Sequence, residues 1–333
     1  MARLKFYGPW RHRIRGFATL NRVAITTYLR HALGRRLTPD WSADIEIGVR
    51  FWRHQFTKAM QADSIAQGRL LFDGVTTETD DIYAVETEPV QTQRGTWYVP
   101  RHRTCAATIL YLHGGGYTFH GKVSERFAAM LAHRLEARLF APDYRLTPEH
   151  PHPAQIEDAL AAWNYVTQDA PPEKVVVIGD SAGGHLALML LLALEQQEMR
   201  QPALCAGLCP WTDIGERGAS LHANDTFDLV QGWMALQFGE WLDPDGTFGR
   251  EALSPISHNF SGLAPLYMMA GGREILHDMI AEFVDVQQAN GAQIRFDSWA
   301  DMPHNFLAYD SLTASSREAM RNLQKAVQQA VPS

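Results

Sequence analysis

The sequence predicts an α/β fold in which a mostly parallel central sheet is flanked by helices, with a helical cap over one end. From about residue 70 onwards, short apolar runs alternate with helical patterns. Such alternation is typical of a parallel sheet that is covered by helices on both faces. A Gly-x-Ser-x-Gly pentapeptide also joins one apolar run directly to a helical pattern, which is the context of an exposed serine at a sheet edge.

The predicted elements follow one another without internal repeats. Predicted strands lie at 106–112, 138–141, 174–178, 203–209, 265–270 and 293–299. Predicted helices lie at about 123–136, 153–168, 182–197, 274–290 and 313–330. Residues 96–99 are expected to add antiparallel pairing at one edge of the sheet. At the start of the last helix, Ser315 and Glu318 have the spacing of a capping box.

Two segments interrupt the alternation and predict the cap. One is the N-terminal segment 1–60, and the other is 211–255, which separates two predicted core strands. The second segment is too long and too rich in aromatic residues for a simple loop. We therefore expect a basic helical cap segment at 1–60 and a catalytic domain at 61–333 that carries a cap insertion at about 211–255.

Composition excludes several classes of protein. The 333 residues are 46% hydrophobic and carry a formal net charge of −7, so disorder and general nucleic-acid binding are not expected. The longest strictly apolar run, 186–194, is far shorter than the roughly 20 residues of a membrane span. The only cysteines, Cys105, Cys205 and Cys209, give no disulfide framework. We expect a reducing, cytoplasmic location.

The N-terminal segment differs in charge from the rest of the chain. Residues 1–39 contain nine Lys or Arg, including Arg3, and no acidic residue. Such a segment can bind a membrane surface or act as a targeting sequence. The alternative that we expect is a basic helical segment that packs on the acidic remainder of the chain, so membrane contact is not expected.

The pentapeptide centred on Ser181 is the first candidate for chemistry. It follows the predicted strand at 174–178 and precedes the predicted helix at 182–197. Glycines on both sides allow a sharp turn, and the helix N-terminus supplies free N–H groups. Ser181 is therefore a candidate nucleophile, and the alternative is a serine that only caps the helix.

A glycine run supplies the second candidate. The sequence His113-Gly-Gly-Gly stands directly after the strand at 106–112. Without side chains, its backbone amides can approach a ligand closely, and together with the N–H of Ala182 they can bind an oxyanion. A phosphate-binding loop is the alternative, but the lysine of a P-loop is missing.

A serine nucleophile needs a base and an acid that orients the base. His304 follows the strand at 293–299, at the carboxyl end of the sheet where active sites of this fold class lie. Glu274 stands in the turn after the strand at 265–270 and is the first candidate acid. Asp278, one helical turn later, is the second.

Together these motifs resemble the hormone-sensitive lipase-like esterases of the α/β-hydrolases. The resemblance covers about residues 95–330 and rests on several motifs in the same order. They are HGGG at 113–116 followed by Tyr117, DYRLTPEHPHPA at 143–154, GDSAGG at 179–184, PWTD at 210–213 and MPHNF at 302–306. One departure is Arg273, which stands where some members have the first of two acidic residues.

The resemblance implies a site and an activity. Ser181, His304 and Glu274 correspond to nucleophile, base and acid, and the N–H groups of Gly115, Gly116 and Ala182 to the oxyanion hole. It implies hydrolysis of short- to medium-chain carboxylic esters, a small-molecule ester as partner, and no metal or organic cofactor. From the resemblance to the family alone, a homodimer is expected.

Several alternatives remain open at the level of sequence. Tyr117, Phe119 and Trp211 are candidate substrate-binding walls, although aromatic residues at these positions can equally be core. The same catalytic groups could serve an acyltransferase or a lactonase. A hydrolase-fold protein that binds a small ligand without catalysis is the alternative of a different class.

Overall fold

The computed structural model describes residues 4–77 and 82–332, so Arg3 of the basic segment lies outside the described residues. The strands are β1 (Leu4–Phe6), β2 (Val75–Thr77), β3 (Val85–Val90), β4 (Gly95–Pro100), β5 (Thr108–Leu112), β6 (Arg138–Pro142), β7 (Val175–Asp180), β8 (Leu204–Leu208), β9 (Leu266–Gly271) and β10 (Ile294–Trp299).

Helices separate most of these strands. They are α1 (Trp10–Ala32), α2 (Ala43–Met60), α3 (Ile65–Phe72), α4 (Lys122–Leu135), α5 (Ala154–Asp169), α6 (Ala182–Gln196), α7 (Ser220–Ala223), α8 (Gly232–Leu242), α9 (Arg250–Leu253), α10 (His277–Ala289) and α11 (Ala314–Ala330).

The central sheet has the predicted mostly parallel order. Over the described residues it contains eight strands in the order β10-β9-β8-β7-β5-β6-β4-β3. The strands from β10 to β6 pair in parallel, whereas β4 pairs antiparallel with both β6 and β3. The predicted antiparallel edge is therefore confirmed. The carboxyl ends of β5, β7, β9 and β10 consequently meet at one edge of the sheet.

Both faces of the sheet are covered, which explains why its strands are apolar at successive positions. In β7, Val175 and Val177 belong to the core on one face, whereas Val176 and Ile178 belong to the core on the other. Helices α5, α6 and α10 pack on the first face, and α4 and α11 pack on the second. Every residue of β5, β7, β8 and β9 is buried.

The last helix begins differently from the prediction. Thr313 is its N-cap, and the Thr313 hydroxyl accepts a hydrogen bond from the backbone N–H of Ser316 at 2.9 Å. The predicted capping box of Ser315 and Glu318 is therefore wrong. Glu318 instead accepts a hydrogen bond from the indole N–H of Trp299 at 3.2 Å, so its carboxylate is directed toward β10.

The N-terminal helices and the segment 211–255 contact each other beside the sheet. Arg53 of α2 donates to the Asp225 carboxylate at 2.8 Å, to the Asp228 carbonyl at 3.1 Å and to the Gln231 side chain at 3.1 Å. Gln231 in turn donates to the Thr57 hydroxyl at 2.6 Å. These bonds fix the segment against α2. None of the helices in the described part of the chain is long and apolar enough to cross a bilayer.

Candidate active site

Ser181 occupies a strained turn between β7 and α6. Its φ of 55° and ψ of −121° lie outside the regions that a non-glycine residue normally adopts. Such a conformation costs on the order of 1–3 kcal/mol and is found mainly at functional sites. A Cβ at Gly183 would overlap the carbonyl oxygen of Leu112, so only glycine lets the first turn of α6 pack against β5. The turn places Ser181 at the carboxyl edge of the sheet.

The glycine loop after β5 is the second part of the site. Gly115 and Gly116 have φ values of 112° and 62°, which glycine adopts readily. A Cβ at Gly115 would overlap the carbonyl oxygen of Phe119, and one at Gly116 would overlap the Phe238 ring. Gly115, Gly116 and Ala182 line one cavity together with Ser181, as the sequence motifs require.

His304 and Glu274 form a buried pair. The His304 Nδ1 and Glu274 Oε2 atoms lie 2.5 Å apart, with His304 3% exposed and Glu274 fully buried. The other carboxylate oxygen accepts the backbone N–H of Gly271 at 2.7 Å, which fixes the orientation of Glu274. Burial alone lowers the pKa of His304, but the hydrogen bond and charge of Glu274 outweigh it and raise this pKa overall.

Asp278, the second candidate acid, is directed elsewhere. One oxygen of its carboxylate accepts the backbone N–H of Ser220 at 2.9 Å, and the other lies 3.4 Å from His277 Nδ1. The Asp278 side chain is 41% exposed at the start of α10. Of the two carboxylates, only Glu274 contacts His304.

Asp180 connects the serine turn with the two neighbouring loops. Its carboxylate accepts the Tyr111 hydroxyl at 2.6 Å, the Gly114 N–H at 2.8 Å and the Asn305 side-chain amide at 2.9 Å. Burial raises the pKa of Asp180, although the hydrogen bonds from Tyr111 and Gly114 oppose the effect. The contacts hold the glycine loop and the loop of His304 in register with Ser181.

A third carboxylate, which is not among the residues predicted from the sequence, lies beside His304. Asp228 is completely buried and accepts backbone N–H groups of Leu229 at 2.7 Å, Ile275 at 2.7 Å and His304 at 3.2 Å. Burial, reinforced by the charge of Glu274, raises the pKa of Asp228 to about 7. The sequence does not distinguish Asp228 from the seven other acidic residues of the segment 211–255.

A cavity of about 500 Å³ opens beside Ser181 and His304. Its walls combine the glycine loop, the N-terminal helices and the segment 211–255, and most of its side chains are apolar. Besides Trp211, those contributed by residues 1–60 and 211–255 are Leu20, Ile47, Phe51, Trp52, Phe56, Leu229, Val230, Ala235 and Phe238. Trp211, predicted as a substrate-binding wall, is among the lining residues.

Tyr117 and Phe119 do not line this cavity, so the expectation that they form its walls is corrected. Phe119 is fully buried behind the wall, where its ring contacts the rings of Phe56, Phe72 and Phe238. The Tyr117 hydroxyl instead lies 2.6 Å from His185 Nδ1. Both residues follow the tight glycine turn, which directs their side chains into the core.

One group of potential ligand atoms within residues 4–77 and 82–332 lies close enough to hold a metal ion. It consists of Cys209, Glu274 and His304, which are all buried. Two of these residues already hydrogen-bond to each other, and burial together with the charge of Glu274 raises the pKa of the Cys209 thiol far above its usual range. A protonated thiol is a poor metal ligand, so this set suits proton transfer better than metal binding.

Known proteins share both this sequence and this fold. The family model for the α/β-hydrolase fold matches residues 109–308. An acetyl-hydrolase of Streptomyces hygroscopicus is 33% identical over 233 residues, which cover 67% of this chain and 76% of that protein. The carboxylesterase NlhH of Mycobacterium tuberculosis is 28% identical over 238 residues, covering 67% and 73% of the two chains.

Solved structures agree with these relatives. A crystal structure of an esterase from the bacterial hormone-sensitive lipase family superimposes with a TM-score of 0.71 at 25% identity, covering 94% of this chain and 98% of that one. The esterase EstE5, soaked with ethyl alcohol, gives a TM-score of 0.78 at 25% identity over 87% and 99% of the two chains. The chain therefore belongs to the α/β-hydrolase family, as a hormone-sensitive lipase-like carboxylic ester hydrolase.

Proposed function

We propose that the chain hydrolyses small-molecule esters of short to medium acyl chain through Ser181, His304 and Glu274. The observation that carries this proposal is the buried contact of 2.5 Å between His304 Nδ1 and Glu274 Oε2, beside a cavity that Ser181 also lines. A carboxylate can only accept a hydrogen bond, so this contact places the imidazole proton on Nδ1. Nε2 is then free to act as the base.

In the proposed reaction, the Ser181 hydroxyl oxygen attacks the ester carbonyl carbon while His304 Nε2 takes the hydroxyl proton. The N–H groups of Gly115, Gly116 and Ala182 stabilise the negative oxygen of the tetrahedral intermediate. His304 returns the proton to the leaving alcohol, and an acyl-enzyme remains. Water, deprotonated by His304, then attacks the acyl-enzyme and releases the carboxylic acid.

The cap sets the proposed preference for chain length. Residues 1–60 and 211–255 act in this proposal as a cap over the catalytic domain, because both segments supply apolar side chains to the cavity wall. A cavity of about 500 Å³ lies within the range of small-molecule sites. Trp211 is the proposed aromatic wall at the acyl group.

A series of p-nitrophenyl esters from acetate to palmitate tests this function. We expect kcat/KM to be greatest for short to medium acyl chains and to fall by at least about tenfold at palmitate, because each methylene outside the pocket forfeits apolar contact. Ala235→Leu, which narrows the cavity, should lower kcat/KM for the longest accepted ester more than kcat/KM for the acetate ester. Trp233→Phe is the matched control, since Trp233 lies on the same helix α8 outside the cavity lining.

Four outcomes would contradict the proposal. A maximum at palmitate would contradict the chain-length preference, and turnover of lactones but no acyclic ester would contradict the substrate class. Formation of new esters in place of free acid, at low concentrations of added alcohol, would indicate an acyltransferase. Absence of turnover with every ester would favour a protein that only binds its ligand.

A further inference from the structure

Helix α1 presents an apolar stripe to solvent. At 3.6 residues per turn its members lie within about 80° of one another around the helix axis. All of them are more than half exposed, from 55% for Tyr28 to 66% for Trp10. The members of this surface, called the α1 stripe below, are Trp10, Ile14, Phe17, Ile25 and Tyr28. The buried positions of α1 lie on the other side of the helix, so the fold leaves the α1 stripe uncovered.

Arginines flank the α1 stripe on both sides. Arg11, Arg15 and Arg22 lie along one flank, and Arg13 lies along the other. All four are exposed, and none forms an ion pair with a residue that the structure describes. Among the arginines of α1, the expected packing on an acidic partner within the described residues is found near the end of the helix, where Arg30 lies 3.7 Å from buried Glu46.

The charge of this segment identifies the occupant of the α1 stripe. Residues 1–39 carry nine basic and no acidic residues, so a second copy of α1 would bring arginines against arginines. A helix with Trp and Phe on one face and flanking arginines has the composition of helices that lie in a lipid–water interface. We propose that α1 docks the enzyme on an anionic lipid bilayer, with the α1 stripe among the headgroups and the arginines on lipid phosphates.

This docking would place the cavity beside the lipid surface. Leu20 of α1 lines the cavity, and so does Leu312, which is 76% exposed. Apolar side chains therefore extend from the helix to the cavity wall. Esters that partition into the interface would reach Ser181 without crossing much water.

Flotation with vesicles tests the proposal. We expect the full chain to bind vesicles of 70% phosphatidylcholine and 30% phosphatidylglycerol at low salt, and not vesicles of phosphatidylcholine alone. The triple variant Arg11→Gln/Arg15→Gln/Arg22→Gln should lower the partition coefficient at least about tenfold. About 0.5 M salt should weaken wild-type binding similarly, because it screens charges at short range.

A control with the same loss of charge is Arg94→Gln/Arg101→Gln/Arg103→Gln, which removes exposed arginines outside α1 and should bind as the wild type does. Hydrolysis of a water-soluble short ester reports that each variant is folded. The proposal would be overturned if the α1 triple variant bound the anionic vesicles as well as the wild type does, or if the wild type did not bind them. A dimer that Ile14→Ser/Ile25→Ser dissociates, without vesicle binding, would identify a second copy as the occupant.

Asp228 supports an independent inference, which rests on the proposed function. Its carboxylate joins the cap segment to both catalytic loops, because it binds the backbone N–H groups of Ile275 and His304. These two residues follow the Glu274 turn and the Pro303 turn, respectively. We infer that Asp228 is a positioning residue that holds His304 against Glu274 and adds negative charge beside the imidazole.

The negative charges around His304 all raise its pKa. Glu274, Asp228 and Asp180 each favour the protonated imidazole, whereas burial opposes it. The Cys209 thiol also lies within 4.8 Å of ligand atoms of Glu274 and His304. The guanidinium of Arg53 binds the backbone carbonyl of Asp228, so it restrains the segment without pairing with this carboxylate.

Asp228→Asn tests the inference because it removes the charge and retains the shape. Loss of a neighbouring negative charge makes the imidazolium less favourable, so the pKa of His304 falls. We expect the acidic limb of kcat/KM to move to lower pH by at least about 0.5 unit. The substitution also leaves the His304 loop less firmly held. We therefore expect kcat to fall at least about fivefold, with KM within about twofold of the wild-type value.

Asp225→Asn is the matched control, since Asp225 lies in the same segment and its carboxylate binds Arg53 and the Gly232 N–H. Its pH profile should equal that of the wild type. An unchanged acidic limb in Asp228→Asn, with only a lower unfolding temperature, would reduce Asp228 to a structural role. Failure of the wild type to hydrolyse any ester would contradict the proposed function instead.

Discussion

Replacing Ser181 with alanine is expected to lower kcat for p-nitrophenyl butyrate by about five to six orders of magnitude. The substitution removes the only atom that the proposed mechanism bonds to the acyl group. Steady-state kinetics on wild type and variant measure the effect. The cavity and the proposed oxyanion donors remain, so a small residual rate above the uncatalysed reaction is expected.

The same variant should remain folded. Alanine tolerates the φ of 55° about as poorly as serine does, so the strain of the turn is unchanged. The thermal unfolding midpoint should lie within a few degrees of the wild-type value. A variant that keeps more than about a tenth of wild-type kcat would show that another nucleophile performs the reaction.

Replacing Glu274 with glutamine is expected to lower kcat by about three to four orders of magnitude. The glutamine side chain can donate a hydrogen bond to Nδ1 and so favours the tautomer with its proton on Nε2. That tautomer cannot accept the proton of Ser181. Residue 274 is fully buried, so a water molecule cannot take the place of the lost carboxylate as the acceptor at Nδ1.

Asp278→Asn is the comparison that separates the two candidate acids. Its carboxylate binds the Ser220 N–H and does not contact His304, so kcat should stay within about threefold of the wild-type value. Parallel kinetics on the two variants decide the assignment. A large loss in Asp278→Asn with a small one in Glu274→Gln would reverse it.

Local signals in the sequence predict the sheet and the serine turn. Strands β5, β7, β8 and β9 are buried on both faces, so their apolar runs are recognisable without knowledge of their partners. Glycines beside Ser181 and in the loop after β5 mark turns that a side chain would block. The chain order of Ser181, Glu274 and His304 then follows from the order of the strands.

Contacts between distant segments could not be predicted in this way. Asp228 acquires its surroundings from residues 47 and 76 positions further along the chain. Tyr117 and Phe119 follow a glycine turn whose φ values decide which way their side chains point, and the sequence does not specify those angles. The exposure of the α1 stripe likewise depends on which face of α1 meets α2.

The most direct test of the central claim is covalent labelling with a fluorophosphonate, followed by mass spectrometry of the intact chain and its peptides. Such a reagent reacts with a serine only when a base activates it and an oxyanion site holds the phosphoryl oxygen. We expect one adduct per chain, on Ser181, with hydrolysis lost in proportion to labelling. Ester hydrolysis that persists with Ser181 unlabelled, or labelling of a different serine, would contradict it.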